Sequence, residues 1–356
     1  MLSKFIRKLA LKVIQGDEVS AEDAPILFAA EGGPARRSRV SGGDLYDLLY
    51  WANKIRQTFK GNKISLCAIL AAKLGACQED CKFCAQSAHY KSHLKAHPLV
   101  SPEEMVKAAS RVPSAASSFG IVTSGNCLEK SELLCVGSAI EKIAEGGKLN
   151  TCASFGRLRL EQALFLKGKG LVRYNHNLET SRHYFPQICS THTYEERLAT
   201  IKAARQAGLE VCSGGIFGVG ESVEDRCEMA LALRELDVDS IPLNFLHPIP
   251  GTPLAGVQPL EPLEILRLIA AFRFILPGKD IKVAGGREVN LRGLQSWMYY
   301  AGASGAIIGD YLTTEGLEPA EDLRLIADLG LEVQMNSRAG RLPTASTPLE
   351  TARTKG

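Results

Sequence analysis

Residues 150–176 read NTCASFGRLRLEQALFLKGKGLVRYNH. Asn150 to Phe155 and Leu171 to His176 are strand-length runs, and the residues between them make a helix-length amphipathic segment. A strand, a helix and a second strand in so short a stretch point to parallel strands joined by a crossover helix. The same rhythm extends in both directions, from about residue 60 to residue 330. Further strands are expected at Ile64 to Leu70, Ser118 to Thr123, Glu210 to Ile216, Ser240 to Leu246, Ile281 to Ala284 and Gly305 to Ile308. Eight such units close a barrel, so the expected fold class is α/β, a (β/α)8 TIM-type barrel, over an open doubly wound sheet. In a barrel of this kind the C-terminal ends of the strands carry the chemistry.

Between the strands, helix starts are legible. Ser101-Pro102-Glu103-Glu104 offers a capping serine and a proline for the first turn, and Thr193-Tyr194-Glu195-Glu196 matches a capping box. The first 60 residues are expected to form a helical extension. Within it, Met1 to Gln15 interleaves Lys4, Arg7, Lys8 and Lys12 with Leu2, Phe5, Ile6, Leu9, Val13 and Ile14, which reads as an amphipathic helix on the body of the protein over a cleaved signal. Residues 61–335 would be the barrel, and 336–356, rich in Arg, Thr, Pro and Gly, a disordered tail.

The chain has 356 residues, 45% hydrophobic and 23% charged, with 42 basic and 39 acidic side chains. A balance so close to neutral argues against nucleic-acid binding and favours a small-molecule partner. The longest apolar runs, such as Ala301 to Ile308, fall well short of the roughly 20 residues of a membrane span. Ten cysteines without a secretory signal point to a reducing cytoplasm, where clustered thiols mean metal more often than disulfides.

Three of those cysteines, Cys77, Cys81 and Cys84, form C-x3-C-x2-C just beyond the first strand. One loop can wrap these thiolates around one centre. Structural zinc needs four protein ligands, whereas a 4Fe-4S cluster held by three thiolates keeps one iron open for an outside ligand. A zinc knob completed by His89 is the alternative. His89, His176, His192 and His247 show no metal-ligand spacing and read as pocket or core side chains, as Cys67, Cys135 and Cys227 read as packing residues.

The triplet resembles the signature of radical S-adenosylmethionine enzymes, and Gly75 to Tyr90, with Cys84-Ala85-Gln86-Ser87, is similar to the biotin synthase family. Further matches follow in order: Tyr174-Asn175-His176-Asn177-Leu178-Glu179-Thr180, Cys212-Ser213-Gly214-Gly215-Ile216, Asn244-Phe245-Leu246 before Gly251-Thr252-Pro253-Leu254, and Gly285-Gly286-Arg287-Glu288. The resemblance spans roughly residues 40 to 335. It implies a radical sulfurtransferase that inserts sulfur between C6 and C9 of dethiobiotin, the last step of biotin biosynthesis. A maturase or mutase using the same radical on another small substrate is the alternative.

By the same resemblance the open iron on Cys77, Cys81 and Cys84 binds S-adenosylmethionine. Phe83 lies beside its adenine, Ser124 near its methionyl group, Asn177 and Glu179 at its ribose and Arg197 at its carboxylate. Asn177 and Asn244 hold the ureido ring of the substrate. The family commonly carries Asp where this chain has Glu179. A second, sulfur-donating auxiliary cluster is commonly held by three cysteines and one arginine. Cys152, Cys212 and Arg287 match three of the four, and the remaining position falls at Gly120. Cys189 is the preferred substitute, with Cys127 as the alternative, and the altered set leaves the auxiliary cluster open between 2Fe-2S and a 4Fe type. The resemblance also implies a reduced flavodoxin or ferredoxin as electron donor and a homodimer.

Overall fold

A computed structural model describes residues 2–29 and 42–335; the tail expected over 336–356 lies outside them. The strands, in chain order, are β1 (Lys63–Lys73), β2 (Ser118–Thr123), β3 (Asn150–Ser154), β4 (Arg173–Asn175), β5 (Glu210–Cys212), β6 (Gly215–Phe217), β7 (Ser240–Phe245), β8 (Asp280–Val283), β9 (Gly305–Ile307) and β10 (Glu332–Val333). They pair in parallel as β1-β2-β3-β4-β5-β7-β8-β9, with β6 on β7, and β9 returns to β1 with Ser65 opposite Gly305. Since β5 and β6 are halves of one position, the closed barrel has eight, as the sequence rhythm predicts.

The expected fifth strand is broken at Ser213 and Gly214 because the chain is pressed against β7 there. A Cβ on Gly214 would sit 2.0 Å from the Pro242 carbonyl oxygen. The continuation of β4 fills the gap: the Glu179 carbonyl accepts from Ile216 N at 2.8 Å, and the Asn177 Oδ1 accepts from Gly214 N at 3.3 Å. β10, too short to read from sequence, adds to the start of β1, with Lys63 opposite Glu332.

Helices form the outer layer. Pro262–Ile275 is buried from Ile265 to Ile275 because it has barrel on one side and other helices on the other. Its Phe272 meets Phe217 of β6 at 5.5 Å and Phe28 of helix Ala24–Phe28 at 5.9 Å. Helix Gly42–Lys60 packs on it too, and helix Leu2–Ile14 lays Ile6, Leu9, Ala10 and Val13 onto that layer as an amphipathic helix would. Both predicted capping boxes form. Ser101 Oγ accepts from Glu104 N at 3.2 Å while Glu104 Oε2 accepts from Ser101 N at 2.9 Å, and Thr193 and Glu196 repeat the pair at the same distances. Among the described residues no helix is long and apolar enough to cross a membrane.

Candidate active site

One cavity of about 440 Å³ runs down the barrel axis, and cysteines line both of its ends. At the mouth, the loop after β1 carries Cys77, Cys81 and Cys84. It is folded by its own backbone: Cys77 N donates to Gln86 O at 3.0 Å, Ala88 N to Cys77 O at 2.7 Å and Cys84 N to Cys81 O at 3.0 Å. Ser124, at the end of β2, spends its hydroxyl on the Gly75 carbonyl at 2.7 Å and so anchors this loop to the sheet. The hydrogen bond with Cys189, then burial, pushes the Cys81 thiol up, and burial pushes Cys84 up to about 11.

At the floor, Cys67 of β1, Cys152 of β3 and Cys212 of β5 face the same cavity with Arg173 of β4 and Lys282 of β8. Lys282 Nζ lies 2.9 Å from Cys67 Sγ, while Arg173 donates to Glu210 Oε2 at 3.0 and 2.7 Å. Burial drives Cys152 up to about 12 and also raises Cys212. Burial opposes ionisation of Cys67 as well, but the Lys282 and Arg173 charges outweigh it and lower that thiol.

Thiolates sharing one tetrahedral ion lie about 3.8 Å apart. Among the described residues, the one trio of metal-ligand types within 4.8 Å of one another is Cys81, Cys189 and His192. Neither Cys77, Cys81 and Cys84 nor Cys67, Cys152 and Cys212 forms such a trio.

Two residues expected in the auxiliary set lie apart from the floor cysteines. Cys189 does not reach the floor. It follows the short helix Phe185–Ile188 and lies behind the mouth loop, 3% exposed, with its Sγ 3.8 Å from Cys81 Sγ and 3.3 Å from Asp80 Oδ1. Arg287 does not line the cavity. It begins helix Arg287–Leu291 and points outward, fully buried, donating to Asp322 Oδ2 at 2.7 Å, Gln295 Oε1 at 2.9 Å and the Tyr311 hydroxyl at 3.0 Å. Cys67, read as packing, and Lys282, not singled out, line the floor instead. Gly120 does face the cavity: its Cβ would meet Ile69 Cγ2 at 3.2 Å and Cys152 Cβ at 3.9 Å. Cys127 is exposed.

Between the two ends lie the remaining predicted residues, Phe83, Asn177, Glu179, Arg197 and Asn244, all lining the cavity. Asn177 Nδ2 donates to Glu179 Oε2 at 3.4 Å. Glu179 adopts a left-handed φ of 71°, and burial raises its carboxyl although Arg197 opposes. Arg197 Nη1 donates to the Asn177 carbonyl at 2.9 Å. Asn244 donates to Gly215 O at 3.1 Å and accepts from Gly285 N at 3.0 Å. Four buried polar atoms of the lining have no partner: Thr123 Oγ1, Asn175 Oδ1, His176 Nε2 and Arg197 Nε.

The Radical SAM superfamily model matches residues 74–233, and the Biotin and Thiamin Synthesis associated domain matches 242–332. The chain is 48% identical to the biotin synthase of Geobacter sulfurreducens over 332 residues, 93% of this chain and 98% of that one. It is 49% identical to the biotin synthase of Heliobacterium modesticaldum over 298 residues, 83% of this chain and 91% of that one. Among solved structures, methylornithine synthase superposes with a TM-score of 0.78 at 18% identity, covering 93% of this chain and 98% of the other, a likeness of fold. The chain belongs to the biotin synthase family of radical S-adenosylmethionine enzymes.

Proposed function

We propose that the chain works with an iron–sulfur site at each end of the cavity: Cys77, Cys81 and Cys84 at the mouth, and Cys67, Cys152 and Cys212 with Lys282 at the floor. The observation that carries the reading is the pair of cysteine trios facing one cavity, with unpartnered polar atoms between them. When bound, the mouth cluster would supply the electron that cleaves S-adenosylmethionine to the 5'-deoxyadenosyl radical, and the floor cluster the sulfur that enters dethiobiotin at C6 and C9.

The chain's own part is to bind, orient and exclude. Phe83 offers a flat apolar face to the adenine. Asn177 and Glu179 offer an amide and a carboxylate to the ribose hydroxyls, and Arg197 has N–H groups left for the methionyl carboxylate. Asn244 spends one N–H and one lone pair on the backbone, so its amide is held rigid with one of each left for a neutral urea. Ser124 acts indirectly, by fixing the loop that carries the mouth thiols. Enclosure by the barrel keeps a reactive radical from bulk water.

The same reading takes residues 61–335 as the catalytic barrel and 1–60 as a helical extension. It includes a homodimer, a reduced flavodoxin or ferredoxin as donor, and a cytoplasmic setting in which all ten cysteines stay free of disulfides. Reconstitution without oxygen, followed by iron and sulfide analysis and turnover of dethiobiotin, tests it. Biotin should form together with 5'-deoxyadenosine. Abundant 5'-deoxyadenosine with no biotin from loaded protein would favour another substrate.

A further inference from the structure

A row of buried polar groups joins the mouth loop to helix Tyr194–Gln206. Arg197, 9% exposed, sits in that helix. Its Nη2 donates to His192 Nε2 at 2.8 Å, its Nη1 donates to the Asn177 carbonyl at 2.9 Å, and its guanidinium lies over the Phe185 ring, 5.5 Å from the centroid. His192 packs edge-on against the same ring and places Nδ1 at 2.6 Å from Glu79 Oε2. An arginine cannot accept a hydrogen bond, so Nε2 of His192 must, and Nδ1 then carries the hydrogen given to Glu79. Glu79, 8% exposed, lies two residues before Cys81 in the mouth loop.

The row leaves the Arg197 Nε N–H buried and unpartnered beside the cavity. The Arg197 Nη1 lies 3.6 Å from Glu179 Oε1, an ion pair without a hydrogen bond. His192 and the Phe185 ring fix the guanidinium in this pose.

We propose that Glu79 and His192 are positioning residues for S-adenosylmethionine: through the Glu79–His192–Arg197 row they fix the orientation in which the guanidinium meets the carboxylate of the ligand. The inference rests on the assignment of that carboxylate to Arg197. It also gives the mouth loop a second task, because the loop that holds the three thiols then also sets the arm that reads the carboxylate of the ligand.

The test uses full-length, cluster-loaded protein and two thioether nucleosides. S-adenosylhomocysteine keeps the amino-acid carboxylate, and 5'-methylthioadenosine lacks it. Equilibrium dialysis of His192→Leu should show S-adenosylhomocysteine binding weakened about tenfold, the scale of one charge-assisted hydrogen bond. Binding of 5'-methylthioadenosine should stay at the wild-type level, iron content should be unchanged, and His192→Gln, which can accept from Arg197 and donate to Glu79, should restore most of the loss. Equal weakening of both ligands, or loss of iron in His192→Leu, would mean that His192 merely supports the loop and would overturn the proposal. Arg197→Leu separates the two layers. If it discriminates between the ligands and His192→Leu does not, the row fails while the carboxylate assignment stands. If Arg197→Leu does not discriminate, both fall.

Discussion

Cys67 shows how far a single residue can be read from sequence. In Ile64-Ser65-Leu66-Cys67-Ala68-Ile69-Leu70 a cysteine is indistinguishable from a small apolar side chain, because a buried thiol packs like one. Only the closed barrel reveals that it shares an inward face with Ile69, next to Gly120 on β2. Lys282 carried a usable signal, a lone charge in the apolar run Ile281 to Ala284, and its partner Cys67 explains it. Cys189 was misplaced because order along the chain gives the right end of the barrel without giving depth. Cys189→Ala should therefore retain the wild-type iron content and form biotin on anaerobic reconstitution; loss of the auxiliary iron alone would return this thiol to the ligand set. Asn244→Ala should raise the KM for dethiobiotin roughly tenfold, since the substrate urea would lose a buried partner. An unchanged KM would place the ureido site elsewhere.

At the scale of elements, local signals were read well where they are local. The capping boxes at Ser101 and Thr193 depend on four consecutive residues and form as expected. The break between β5 and β6 depends on the distant Pro242 carbonyl and on the chain after β4, so nothing between Glu210 and Ile216 announces it. A third box joins two elements. Asp225 accepts from Ser222 N at 2.8 Å at the start of helix Val223–Glu235, and from Ser181 Oγ at 2.6 Å in the segment after β4 that follows Asn177 and Glu179. Burial works to raise this carboxyl, but the hydrogen bonds from Ser181 and Ser222 prevail and hold it near 2. A depressed native value contributes stability fully above the ordinary carboxylate range near 4 and loses it as pH falls toward 2. Asp225→Asn should thus cost about 1–3 kcal/mol at neutral pH, read by urea unfolding of the cluster-free protein. The gap from wild type should narrow from about pH 4 to about pH 2; a gap independent of pH would mean that the charge is not what matters.

For the whole molecule, the eight-fold rhythm made the architecture legible, because each strand–helix unit repeats the same periodicity whatever its neighbours. The outer ties were not legible. Arg287 and Asp322, both fully buried, bind the end of the barrel to helix Pro319–Asp328 across 35 residues, and no motif marks the pair. Breaking a buried pair leaves one charge unpaired, so Arg287→Met should cost about 3–5 kcal/mol of stability. It should still bind the full auxiliary iron at low temperature; a specific loss of that iron would restore Arg287 as a ligand. The central claim is that the cavity has two separate iron–sulfur ends, with Cys67 at the sulfur-donating one. It is tested most directly by anaerobic single-turnover assay of wild type and Cys67→Ala with S-adenosylmethionine and dethiobiotin, quantifying 5'-deoxyadenosine and biotin together. Wild type should form both, and Cys67→Ala should form 5'-deoxyadenosine without biotin. Biotin from Cys67→Ala at the wild-type yield would contradict the account.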